Sequence, residues 1–119
     1  MVILKILVIE DDHFSREGLT KILSSEGYEV SVAENGEEGF EKAISEHYDL
    51  IITDLMMPFM DGMKLLSRLK SMECDTPVIV ITAYSSIDNM LSVYQLGGIE
   101  VLEKPFEIHE LFNLIKRIL

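Results

Sequence analysis

Five short apolar runs, rich in β-branched residues, alternate along this chain with five segments whose apolar residues recur at helical spacing. No other feature constrains the fold as much. Ile3–Ile9 is nearly continuous and reads as a strand buried on both faces, with Leu50-Ile51-Ile52-Thr53 and Val78-Ile79-Val80-Ile81 as further strands. Val30 and Val32 alternate with polar residues and predict a shorter, less buried strand, and Ile99–Leu102 predicts a fifth. Between and after them come Leu19, Ile22 and Leu23; Phe40, Ala43 and Ile44; Leu65, Leu66 and Leu69; and Ile87, Met90, Leu91 and Tyr94. A strongly amphipathic last segment carries Ile108, Leu111, Phe112, Ile115, Ile118 and Leu119. Gly27, Asn35-Gly36 and Gly97-Gly98 punctuate the pattern. Five strand-then-helix units imply right-handed crossovers and a doubly wound α/β fold, a (βα)5 parallel five-stranded sheet covered on both faces.

With 119 residues and no linker, repeat or low-complexity tract, the expectation is a single domain over residues 1–119. Apolar residues at 48% and charged residues at 26% belong to a globular chain rather than a disordered one. The net charge of −11 disfavours direct binding to nucleic acid or to an anionic membrane. Residues 1–60 carry thirteen acids and four bases, against eight and six in residues 61–119, so the charge is concentrated in the first half. The single cysteine, Cys74, makes no internal disulfide and fits a reducing cytoplasm. Lys5 interrupts the first apolar run and Glu10 follows it, so the N-terminus reads neither as a signal peptide nor as a membrane span.

In a parallel sheet the binding crevice lies beyond the carboxyl ends of the strands. Glu10, Asp11 and Asp12 follow the first strand, Asp54 the third, Thr82 ends the fourth, and Lys104-Pro105 follows the fifth. With strand order 2-1-3-4-5 these groups converge on one edge. Glu10, Asp11 and Asp54 sum to −3 when ionised, a self-repelling set that raises at least one pKa unless a cation enters. Mg2+ bound through carboxylates, together with Lys104, would neutralise it. Asp54 could then act as a nucleophile towards phosphorus, with Thr82 and Lys104 stabilising the transferring group. Asp12 and Ser15 read as helix-cap residues, and His13, His47 and His109 show no ligand spacing. Met56, Met57, Met60 and Met63 read as adaptable packing around the loop after Asp54.

Ile6-Leu7-Val8-Ile9-Glu10-Asp11-Asp12, Asp54-Leu55-Met56-Met57-Pro58-Phe59-Met60-Asp61-Gly62, Ile81-Thr82-Ala83-Tyr84 and Lys104-Pro105-Phe106 together resemble the receiver domain of bacterial two-component response regulators. The resemblance covers the whole chain. It implies a flavodoxin-like fold, with Asp54 as phosphoacceptor, Asp11 as a direct metal ligand, Glu10 reaching the metal through water, and Met56 giving a backbone carbonyl. It implies Thr82 and Lys104 as the phosphoryl-binding pair, a cis Lys104–Pro105 bond, and loop-shaping roles for Pro58 and Gly62. The implied cofactor is Mg2+. The implied partners are a histidine kinase or histidine phosphotransferase, with an output domain or downstream protein as receiver of the signal. The domain itself is then a signalling switch rather than an enzyme. Many members carry Tyr or Phe three residues before the lysine; here Val101 stands there. Three other readings compete. An Asp-nucleophile phosphatase wants a second Asp where Met56 stands. A flavodoxin-type electron carrier wants a hydroxyl-rich loop where Glu10-Asp11-Asp12 stand. A pseudo-receiver scaffold would have lost the acids, Thr82 or Lys104.

Overall fold

The computed structural model describes residues 2–119. Five strands, β1 (Lys5–Ile9), β2 (Glu29–Ala33), β3 (Leu50–Asp54), β4 (Val78–Thr82) and β5 (Glu100–Glu103), alternate with five helices. These are α1 (His13–Ser25), α2 (Gly36–Ser45), α3 (Gly62–Ser71), α4 (Ile87–Gln95) and α5 (Ile108–Ile118). The strands form one parallel sheet in the order β2-β1-β3-β4-β5, as expected for the doubly wound flavodoxin-like arrangement.

Local chemistry starts each helix. Asp12, Asn35, Asp61 and Ser86 sit at the N-caps in extended conformation, and each side chain accepts the backbone N–H three residues on. Glu107 and Glu110 form a reciprocal capping box at α5. Asp12 is therefore the cap that the sequence indicated. Its hydrogen bonds from Ser15 hold its carboxyl below the ordinary aspartate range.

The alternation of side chains along the strands feeds two cores. Leu7, Ile9, Ile51, Leu55, Val78 and Val80 face α2, α3 and α4, which contribute Phe40, Ala43, Leu65, Leu66, Leu69 and Val93. Ile6, Val8, Leu50, Ile52, Ile79, Ile81 and Leu102 face α5 and α1, which contribute Leu111, Leu114, Ile115 and Leu23. The central strands β3 and β4 are buried at every position, as their unbroken apolar runs predict.

Several expectations need correction. β1 begins at Lys5, not Ile3, because β2 offers no partner before Glu29; the Leu4 carbonyl accepts the Glu29 N–H at 2.9 Å and pairing starts there. β5 begins at Glu100, leaving Ile99 exposed before it. Ile44, Ile108 and Leu119 lie exposed at the margins of their helices, whereas Leu114, outside the expected apolar face of α5, is buried. The largest departure is α4. Ile87, Leu91 and Tyr94 are all exposed, and only Val93 of this helix is fully buried.

Candidate functional site

β1 and β3 are adjacent and in register, so Glu10, one residue past β1, comes beside Asp54 at the end of β3. Glu10, Asp11 and Asp54 each offer a carboxylate oxygen, and these oxygens lie within 4.8 Å of one another. Glu10 is buried and Asp54 nearly so, while Asp11 is exposed at the mouth. Lys104, just beyond β5, crosses to this cluster. Its ammonium donates to Asp54 Oδ2 at 2.7 Å and lies 3.9 Å from Glu10 Oε2. The main chain anchors the lysine, since the Lys104 N–H donates to the Thr82 carbonyl at 2.8 Å, and the Lys104–Pro105 peptide is cis as the resemblance implied.

The electrostatics follow from this crowding. Burial pushes the Glu10 carboxyl up to about 7, and contact with Asp54 adds to the rise against the opposing pull of Lys104 and the Asp12 N–H. Burial alone would lower the Lys104 ammonium, but Asp54, Glu10 and Asp11 outweigh it and hold the lysine above its ordinary value. The acid set thus carries more negative charge than one lysine balances. Its donors are hard carboxylate oxygens, the set a small divalent cation prefers.

Asp54 is fixed from its own loop as well. Its Oδ1 accepts the Met56 N–H at 3.1 Å, and the buried Thr53 hydroxyl donates to its carbonyl at 3.0 Å. The loop then turns sharply. Phe59 has φ 68°, and the Met60 N–H donates to the Pro58 carbonyl at 2.8 Å, a γ-turn of the strained hand. Met57 and Met60 are buried on either side of it, in keeping with packing methionines, while Met56 is exposed. Gly62 closes the loop where no side chain fits: a Cβ there would lie 2.8 Å from the Asp54 carbonyl oxygen and 2.9 Å from Leu55 Cα.

Thr82 is buried at the end of β4, with its hydroxyl oxygen accepting the Tyr84 N–H at 2.9 Å. All the strand-end residues singled out in the sequence therefore reach one edge. Arg16 adds a contact that the strand-end pattern did not show. Its guanidinium donates to the Glu10 carbonyl at 2.9 Å, bracing the loop that carries the acids. Its spacing, five residues after Asp11, is the only sequence signal for it. Between α1 and α5 an apolar groove of about 570 Å³ runs into this edge, with Glu10, Asp54 and Lys104 at its head.

The family model described as the response regulator receiver domain matches residues 6–116. The chain belongs to this family. Among curated relatives of this receiver, the response regulator ArlR of Staphylococcus haemolyticus is 38% identical over 114 residues, which are 96% of this chain and 52% of that protein. The response regulator MprA of Mycolicibacterium vanbaalenii is 35% identical over 115 residues, 97% of this chain and 50% of that protein. The receiver thus spans about half the length of these relatives. Among solved structures, the response regulator TrrA of Thermotoga maritima, in complex with Mg2+ and BeF, is 37% identical with a TM-score of 0.89, covering 98% of this chain and 100% of that one. The chemotaxis protein CheY4 of Vibrio cholerae is 30% identical with a TM-score of 0.91, covering 99% and 100%. No helix among the described residues of the receiver is long and apolar enough to cross a membrane.

Proposed function

We propose that this receiver, a single unit over residues 1–119, takes a phosphoryl group onto Asp54 from a phosphohistidine of a kinase or phosphotransferase. The observation that carries the reading is the Asp54 carboxylate, fixed between the Lys104 ammonium at 2.7 Å and the acidic oxygens of Glu10 and Asp11. An Asp54 oxygen attacks phosphorus, the bond from phosphorus to the donor nitrogen breaks, and the departing imidazole keeps the electron pair and takes a proton from solvent. Lys104 pairs with the transferring oxygens once the acyl phosphate forms, and the Thr82 hydroxyl donates to one of them. Glu10, Asp11, Asp54 and the Met56 carbonyl would hold Mg2+, which supplies charge neutralisation at the phosphoryl oxygens. The reading places the protein in the cytoplasm, as a switch acting on an output domain or a downstream protein. Met56, standing where a phosphatase of this general architecture needs its second acid, argues against that alternative. The complete acid set with Lys104 in contact argues against a scaffold without chemistry.

The test is intact-mass measurement after incubation with acetyl phosphate. One phosphoryl adduct is expected with Mg2+, and none with a chelator or in Asp54→Asn. Metal-independent labelling of the Asn variant would overturn the assignment.

A further inference from the structure

The loop between β4 and α4 carries a chain of hydrogen bonds from Thr82 to the helix. The Thr82 hydroxyl oxygen accepts the Tyr84 N–H at 2.9 Å. The Tyr84 carbonyl accepts the side-chain amide of Asn89 at 2.9 Å. Asn89 stands in the first turn of α4, where its own N–H donates to the cap hydroxyl of Ser86 at 3.1 Å. Its backbone therefore belongs to the helix while its side chain holds the loop. A single residue, Tyr84, joins the buried hydroxyl at the strand end to the helix start.

α4 is anchored unevenly. Towards its C-terminal end Val93 is buried, and Gly98 approaches so closely that a Cβ there would lie 2.5 Å from Val93 Cγ1. The Lys70 ammonium also donates to the Gln95 carbonyl at 2.9 Å. In the N-terminal half, Ile87 and Leu91 are exposed and Met90 is only partly buried. Among the described residues, the side-chain hydrogen bond tying this half to the sheet edge is the one from Asn89 to Tyr84. A helix packed at one end and tethered at the other has the local mechanics of a pivot. The side chain three residues before Lys104 is no substitute for this link. Val101 is partly buried against the same core as Val93, and its side chain has no hydrogen-bonding atom.

We propose that Asn89 is a positioning residue that passes the state of the Thr82 hydroxyl to the N-terminal half of α4 through the main chain of Tyr84. The proposal rests on the reading of Asp54 as phosphoacceptor. A phosphoryl group on Asp54 accepts a hydrogen bond from the Thr82 hydroxyl. As the Thr82 side chain rotates towards Asp54 to donate it, its oxygen moves away from the Tyr84 N–H that it accepts, the loop shifts, and the carbonyl held by Asn89 draws the first turn of α4 with it.

The experiment is 1H–15N NMR of the full chain with Mg2+ and beryllofluoride, a phosphoryl mimic. In the parent protein the amides of Asp54, Thr82, Tyr84 and residues 87–91 should all shift. In Asn89→Ala the Asp54 and Thr82 amides should shift as before, while the movement of residues 87–91 should fall to less than about half. Ser86→Ala removes the helix cap but keeps the Asn89 link, so it should preserve the α4 response. Full movement of residues 87–91 in Asn89→Ala would overturn the relay. So would equal losses in both variants, which would reduce the effect to a loosened helix. A parent whose Asp54 and Thr82 amides do not respond at all would overturn the phosphoacceptor reading itself, and the relay with it.

Discussion

α3 and α4 cover the same face of the sheet, follow neighbouring strands and have similarly amphipathic sequences, yet only α3 is anchored along its length. Leu65, Leu66 and Leu69 of α3 are all buried, whereas Ile87, Leu91 and Tyr94 of α4 are exposed. The difference lies in what surrounds each helix. α3 is the middle helix of its face, with α2 on one side and α4 on the other, and Gly62 lets its start press against the Asp54 and Leu55 backbone. α4 is the outer helix and lies against β5, a four-residue edge strand. Helical spacing of apolar residues thus identifies a helix face without saying that the sheet is wide enough to cover it. The strands feeding the two helices differ in the same sense. β3 delivers the charged Asp54 into the acid cluster, and β4 delivers the neutral Thr82.

The largest expected effect is on the α3 side. Leu66→Ala should cost about 2–5 kcal/mol of unfolding free energy in chemical denaturation, because a filled core site is emptied. A small loss would show that this face is as loosely held as that of α4.

The next effect separates the charged strand end from the neutral one. An unfolded chain loses the Glu10 proton near 4.5, while the folded protein keeps it to about 7. The folded state therefore binds more protons in that window, and metal-free stability should fall as pH rises through it. Glu10→Gln should remove this slope and stabilise the metal-free protein above pH 7 by on the order of 3 kcal/mol. Thr82→Val, at the neutral end, should leave the slope in place. Melting temperatures across pH 4–8 in chelator check both, and an unchanged slope in Glu10→Gln would place the titrating charge elsewhere.

The loops give a smaller contrast. Phe59 holds a positive φ in the β3–α3 loop and is almost fully exposed, so its side chain does not repay the strain. Phe59→Gly should raise stability by about 1 kcal/mol. Ser85→Gly in the β4–α4 loop, where no such backbone exists, should give no gain. The smallest effect belongs to α4 itself. Leu91→Ala should change stability by no more than about 0.5 kcal/mol, since its side chain already meets water. A large loss there would erase the contrast with Leu66.

Much of this protein was legible in the residues alone. The β-branched runs and helical repeats carry their own periodicity, so the five βα units and the parallel sheet follow from local pattern and handedness, while the strand order belongs to the receiver-domain resemblance. The acids, Thr82 and Lys104 were legible because parallel topology sends every strand end to one edge. What the sequence could not carry was pairing across distance. Arg16 braces the Glu10 carbonyl, and the Asn89 amide reaches back to the Tyr84 carbonyl. Such bonds depend on where folded backbone segments come to rest, and residue type alone leaves many partners open. Burial divides in the same way. An apolar stripe is a property of one helix, but its covering is a property of the neighbours, and α4 lies at the edge of the sheet where neighbours run out.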